Sequence, residues 1–286
     1  MSMHQMLTMD VGELSAFQGI RSERLIRENY APTISDGRWR KLALSFMTLD
    51  KPITTYTYPL ISHWDFAAAP GSGAHHTHFG GLALHTLQNL EYAAAWTEVY
   101  AQRGIKLDKG LLYATIIIHD CMKRFIYSFD DDFNFVKAED PFIAKREDHH
   151  SWVLRELKGR GCDRDLLASV AAIHGIDDVA LDGGVKSVAI VNHYLAIGDT
   201  GLQYTKDDVR PEHVIAFLSD SDWHWSGQVQ RKTGLLAERM ARDAGLSRNR
   251  LMVYLGSRFS YENVGDYIEK HGYDKAAEYF TALIRG

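Results

Sequence analysis

Cysteine is nearly absent: Cys121 and Cys162 are the two in 286 residues. So few and so separate, they exclude a disulfide framework and a cysteine zinc site, and they favour a reduced, cytoplasmic setting. Long apolar runs are missing as well. No stretch of about 18 apolar residues occurs, and MSMHQMLTMDVGELSAF carries no basic segment ahead of an apolar core. Neither a membrane span nor a secretory leader is expected. Positive charge is in short supply, with 32 Lys and Arg against 37 Asp and Glu and a net charge of −5. Nothing in that balance points to a polyanion-binding surface, so any phosphate must be neutralised locally. Repeats and low-complexity tracts are absent too.

What is present is a 45% apolar chain, enough for a substantial core in one large domain or two small ones. Histidine is the outlier: fourteen occur, nine of them from His75 to His193. Residues 12–29 and 37–49 read as amphipathic helices separated by Pro32 and Asp36. Residues 54–61, TTYTYPLI, have the bias of a short extended segment, although Pro59 argues against a central strand. AAAPGSGA at 67–74 is linker-like and ends where the histidines begin.

A long helix is expected over 80–103, with His85 in its first turns and Gly104 closing it. Asp108 can cap the next, whose residues Leu111, Leu112, Ile116, Ile117 and Ile118 leave almost no polar face; this should be the central buried helix. FIYSFDDDFNFVKAED then suggests a small hairpin or a lid. His149 and His150 open a further helix, Asp163 caps one that ends at His174 and Gly175, and residues 185–204 form another that carries His193 and Asp199. Four more helices follow over 212–218, 223–244, 248–258 and 274–284, the first with Pro211 at its start. The fold class is all-α.

The chemistry concentrates in LLYATIIIHDCMKRF, residues 111–125, where an apolar run ends in His119, Asp120 and Lys123. Two adjacent ligand-type residues at the inner end of such a segment are costly to bury unless something neutralises them, and a metal ion is the natural candidate. On a helix His119 and Lys123 share a face, with Asp120 close to Lys123 at i+3. An ion beside that face would take the imidazole and the carboxylate and leave the ammonium for an anionic substrate. The competing reading is a surface ion pair beside a core histidine.

The motif order resembles the HD superfamily of metal-dependent phosphohydrolases. It runs HHTHFGGLALHT at 75–86, HDCMK at 119–123, HH at 149–150, IHG ending at Gly175, and GD at 198–199. The opening pattern is similar to the branch that includes an exoribonuclease and relaxase-associated HD domains. The resemblance implies an HD core over 75–205 between an N-terminal helical arm (1–74) and a C-terminal helical extension (206–286). It implies His85, His119, Asp120 and Asp199 as primary metal ligands, with Asp120 bridging where two ions bind, and His150 and His174 as ligands of a second ion. His149 is an alternative to His150, and Lys123 matches a phosphate-contacting lysine. Two departures stand out: Ile173 where the family often has a second histidine, and Leu84 where the branch has Glu. Because of Ile173, one tightly held divalent ion, Mn²⁺, Fe²⁺ or similar, and a weaker second are expected.

The expected activity is metal-assisted hydrolysis of a small phosphate ester such as a nucleotide, with Asp120 and Lys123 at the reaction centre. No extended nucleic acid and no membrane is expected as partner. The alternatives are a 3'-5' exonuclease on single-stranded nucleic acid, a nucleotide-binding HD module, and a di-iron oxidase. His75, His76 and His78 stand before the first ligand helix, where His76 is a candidate for the pocket wall. His193 is expected to be structural, and Trp223 and Trp225 to cap the core in preference to stacking on a base.

Overall fold

The computed structural model describes residues 9–54, 60–138, 148–175, 185–244 and 246–285. At its N-terminal end, Asp10 and Glu13 form a reciprocal capping box, Glu13 N–H donating to Asp10 Oδ1 at 2.8 Å, and open helix α1 (Val11–Ser15). Helix α2 (Gly19–Leu25) widens into a π-helical turn, Ile26–Tyr30, and tightens into a 3-10 turn, Ala31–Thr33. The helix expected over 12–29 is therefore two, and Pro32 marks the stop. Asp36 accepts from the N–H groups of Arg38 (2.7 Å) and Trp39 (3.2 Å), which starts α3 (Gly37–Met47).

The stretch at 67–74 is no linker. Ala67, Ala68 and Ala69 are buried, and the carbonyls of Ala68 and Ala69 accept from Gly80 and Leu82 N–H at 3.1 and 3.0 Å, fastening the loop to the start of α4 (Gly81–Gln102). Glycine is required at that joint. Gly80 has φ +77°, and a Cβ on Gly81 would stand 2.0 Å from the His76 carbonyl oxygen. The extended segment expected at 54–61 lies mostly outside the described residues; Thr54, Leu60 and Ile61 join no sheet.

Helix α5 (Lys109–Ile118) is the central helix. Asp108 accepts from Leu111 N–H at 3.0 Å, and every residue from Gly110 to Ile118 is buried. Its one polar side chain in the buried stretch besides Tyr113, Thr115, donates to or accepts from Ser169 Oγ at 2.7 Å. A short α6 (Lys123–Ile126) leads into the hairpin β1 (Tyr127–Phe129) and β2 (Phe135–Lys137), antiparallel with Ser128 opposite Val136. Then come α7 (Asp148–Gly159), α8 (Arg164–Gly175) and α9 (Val185–Ile197), followed by α10 (Pro211–Asp220), α11 (Trp223–Ala244), α12 (Arg248–Phe259) and α13 (Tyr261–Arg285). Gly272, at φ +77° and ψ +166°, interrupts α13.

Two apolar clusters result. One joins α3 to α5 and α7 to α10, with α3, α4, α8 and α10 packed around α5. The other joins α11 to α13 and takes in Leu14 and Phe79. Ile215 and Ala216 of α10 belong to the first cluster, so the helical core runs past residue 205. Among the described residues no helix is long and apolar enough to cross a membrane.

Candidate metal centre

The end of α5 fixes the centre. His119 is the C-cap of that helix, and its Nδ1 lies 2.7 Å from the Ile116 carbonyl oxygen. A carbonyl only accepts, so Nδ1 carries the hydrogen and Nε2 faces the opposite way, toward two carboxylates. These are Asp120 Oδ2 at 3.4 Å and Asp220 Oδ1, from the last residue of α10, at 3.3 Å. His85 Nε2 on α4 meets the same two oxygens at 3.3 and 3.0 Å. His149 Nε2 on α7 lies 3.2 Å from Asp120 Oδ1; His174 Nε2 on α8 lies 3.8 Å from that oxygen and 3.5 Å from Asp220 Oδ2. Asn89, one turn after His85, donates to Asp220 Oδ1 at 3.0 Å. Lys123 Nζ sits 2.5 Å from Asp120 Oδ2.

Burial and charge set the protonation of this cluster. Burial opposes ionisation of Asp120, yet His119 and Lys123 outweigh it and hold the carboxyl well below the usual range. Asp220 is likewise held low against its burial, mainly by His119 and His85. Burial disfavours charge on His119 too, but the two carboxylates push its pKa up to about 10, and they raise His85 in the same sense. Farther from the carboxylate pair burial wins: His174 falls to about 3 and His150 lies well below its ordinary value. Two ionised carboxylates thus share one pocket with imidazoles whose nitrogen atoms converge on them.

That donor set fits divalent metal. Two groups of four have ligand atoms within 4.8 Å of one another: His85, His119, Asp120 and Asp220, and Asp120, His149, His150 and His174. Asp120 is common to both. His150 Nδ1 is buried without a hydrogen-bond partner among the described residues, and its ring stacks on His174 with centroids 3.5 Å apart. Imidazole and carboxylate without thiolate suit Mn²⁺, Fe²⁺ and similar ions. A cavity of about 340 Å³ opens beside the cluster, lined by Lys123, Tyr127, His174, Tyr194, Asp220 and Trp223 among others.

The residues expected from the sequence separate here. His85, His119, Asp120, His150 and His174 come together, with Lys123 at their side. Asp199 does not. Its side chain is 86% exposed, it has φ +50°, and it pairs with Lys158 on the surface; Asp220 stands where a final carboxylate was expected. His149 joins the cluster together with His150 rather than instead of it. His193 is exposed and outside the cluster, whereas His75 and His76 are buried beside His85. Trp223 and Trp225 do not cap a core: they are 40% and 52% exposed, and Trp223 borders the cavity. The signal that would have found Asp220 is α10 itself, an amphipathic helix opened by Pro211 whose buried face, Ile215, Ala216 and Ser219, ends in an aspartate.

A helical core with an adjacent His-Asp pair at the end of its central buried helix, ringed by imidazoles from neighbouring helices, is the arrangement that the sequence resemblance to HD-type phosphohydrolases implies. Over 180 residues the chain is 27% identical to the dihydroneopterin 2',3'-cyclic phosphate phosphodiesterase of Methanocaldococcus jannaschii, a match that covers 62% of this chain and 68% of that protein. No family model and no solved structure matches the chain.

Proposed function

We propose that this chain is a metal-dependent phosphohydrolase of small phosphate esters, with cyclic phosphodiesters, the class named for its relative, as the preferred substrates. The observation that carries the reading is the sharing of Asp120 between two four-residue ligand groups, with the Lys123 ammonium against the same carboxylate and a cavity alongside. His85, His119, Asp120 and Asp220 would hold the tighter ion, because that group contributes two carboxylates. Asp120, His149, His150 and His174 contribute one, shared, and would hold the second more weakly. Divalent ions bound there polarise a phosphoryl oxygen and lower the pKa of a bound water toward neutrality.

The protein's own groups do the rest. Lys123 is buried and borders the cavity, so its charge is positioned to offset that developing on the phosphoryl oxygens. Asn89 and the Ile116 carbonyl fix the orientation of the Asp220 carboxylate and the His119 ring. The cavity volume lies near the lower end of the roughly 300–1,000 Å³ usual for small-molecule sites, which favours a compact ester over a polymer.

Phosphorus NMR of a 2',3'-cyclic nucleotide incubated with Mn²⁺- or Fe²⁺-loaded protein tests the assignment. Ring opening should convert the diester to a monoester without release of inorganic phosphate, and a chelator should stop it. Inorganic phosphate accumulating after ring opening would show a second, phosphomonoesterase step on the opened ester and contradict a diester-only activity, and an unchanged spectrum from fully loaded protein would end the cyclic-ester reading.

A further inference from the structure

The loop that carries His75 and His76 is held from the far cluster of helices. Gln230 on α11 accepts from Thr77 N–H at 3.1 Å and donates to Thr77 Oγ1 and the Gly73 carbonyl at 2.9 and 3.2 Å. The buried Tyr261 hydroxyl on α13 donates to the Thr77 carbonyl at 2.7 Å. Between these anchors His76 is 1% exposed and takes φ +54°, a left-handed backbone conformation uncommon for residues other than glycine and held here by its surroundings.

Its side chain has definite partners. Nε2 lies 2.7 Å from Gln88 Oε1 and 3.3 Å from Glu262 Oε1, in the first turn of α13. A carboxylate only accepts, so Nε2 carries a hydrogen. Both Glu262 oxygens are buried, and His76 is the ion-pair partner this carboxylate has among the described residues. On the other side of the ring, His76 Nδ1 lies 2.9 Å from His75 Nδ1. His75 in turn packs edge-on to the His85 ring, centroids 4.9 Å apart, and lines the cavity that Lys123 and Asp220 also border. A contiguous path, Glu262 to His76 to His75, thus runs from the C-terminal helices to the cavity wall.

We propose that Glu262 is a positioning residue that acts through His76 to fix the His75 imidazole against the bound phosphoester. The proposal rests on the phosphohydrolase reading for the identity of what His75 meets, and on the structure alone for the linkage. Two measurements keep these apart. Imidazole ¹⁵N NMR of protein loaded with a diamagnetic ion, Zn²⁺ or Mg²⁺, reads the linkage directly: Glu262→Ala should shift the His75 and His76 ring signals, each identified by its loss in His75→Ala or His76→Ala. Steady-state hydrolysis of bis(p-nitrophenyl) phosphate by the Mn²⁺-loaded enzyme reads the consequence. Glu262→Ala should lower kcat about tenfold with KM and metal content unchanged, Glu262→Gln, which keeps an acceptor oxygen, should restore most of the rate, and Glu262→Ala should cost nothing further in a His75→Ala background.

Unchanged His75 signals in Glu262→Ala, an equal loss with and without His75, or a Glu262→Gln protein no better than Glu262→Ala would overturn the proposal. If Glu262→Ala does not fold, Glu262→Gln decides: a folded, active protein with wild-type His75 signals supports positioning, and an unfolded one makes the carboxylate purely structural and overturns it. Wild-type enzyme inert toward every phosphoester would remove the phosphohydrolase reading while the NMR comparison still decided the linkage.

Discussion

Three imidazoles, those of His85, His119 and His174, each face both Asp120 and Asp220, so the two carboxylates form one electrostatic unit although they lie far apart in sequence. Asp220→Ala should therefore lower phosphoester hydrolysis by about 100-fold or more and weaken metal binding, while Asp199→Ala should stay within about twofold of wild type. Titrating both variants with Mn²⁺ under assay conditions checks this; a larger loss from Asp199→Ala would return that residue to the site. His119, Asp120 and Lys123 were legible because one short segment contains all three and its apolar lead-in implies burial. The last carboxylate was not. Asp199 lies two residues past α9 and Asp220 is the last residue of α10; the amphipathic pattern of α10 marks a buried face ending in Asp220, but that this face packs on α5 is a tertiary outcome the pattern alone does not encode.

At the level of elements, caps and apolar periodicity located most helices: Asp36, Asp108 and Asp163 each cap a helix, Asp163 accepting from Leu166 N–H at 3.1 Å. Composition misled at 67–74, where Ala, Pro, Gly and Ser look like a linker. Their small size instead permits close approach: a Cβ on Gly71 would stand 2.7 Å from His76 Cβ. Helix α13 was seen only in its second half, because the first half, from Tyr261, carries mixed residues up to the Gly272 break.

Helix α7 holds a testable tie outside the site. Fully buried Glu156 accepts from Ile53 N–H (2.9 Å), Thr54 N–H (2.9 Å), Thr54 Oγ1 (2.6 Å) and Arg160 (2.7 Å). Burial works against its ionisation, but the Thr54, Ile53 and Arg160 hydrogen bonds prevail and lower its pKa. Its contribution is therefore present above the unfolded-state pKa of about 4.3 and is lost as pH falls through the folded value. Glu156→Ala should destabilise the protein by about 3 kcal/mol near neutral pH. In urea denaturation, the stability difference between wild type and Glu156→Gln should shrink from about pH 6 to about pH 3. A difference that stayed constant or grew on acidification would show the carboxylate is not ionised in the fold.

Across the whole molecule, with an acidic excess of 37 to 32, phosphate neutralisation would fall to Lys123 and the ions held at the metal centre. The hairpin tip adds no basic surface: Asp130 turns inward to accept from Asp132 and Asn134 N–H at 3.0 and 2.8 Å. Small cyclic or aryl phosphodiesters should accordingly be hydrolysed at least about tenfold faster than single-stranded RNA of about 20 nucleotides at equal concentration. Faster degradation of the RNA would favour the exonuclease alternative. Both outcomes presuppose the metal centre built on Asp120, and the metal content of purified wild type and Asp120→Ala, measured by elemental analysis beside far-ultraviolet circular dichroism, tests that centre most directly. The account predicts bound divalent metal in the wild type and essentially none in a variant whose helical spectrum is unchanged; a folded Asp120→Ala protein that keeps the full wild-type complement would contradict it.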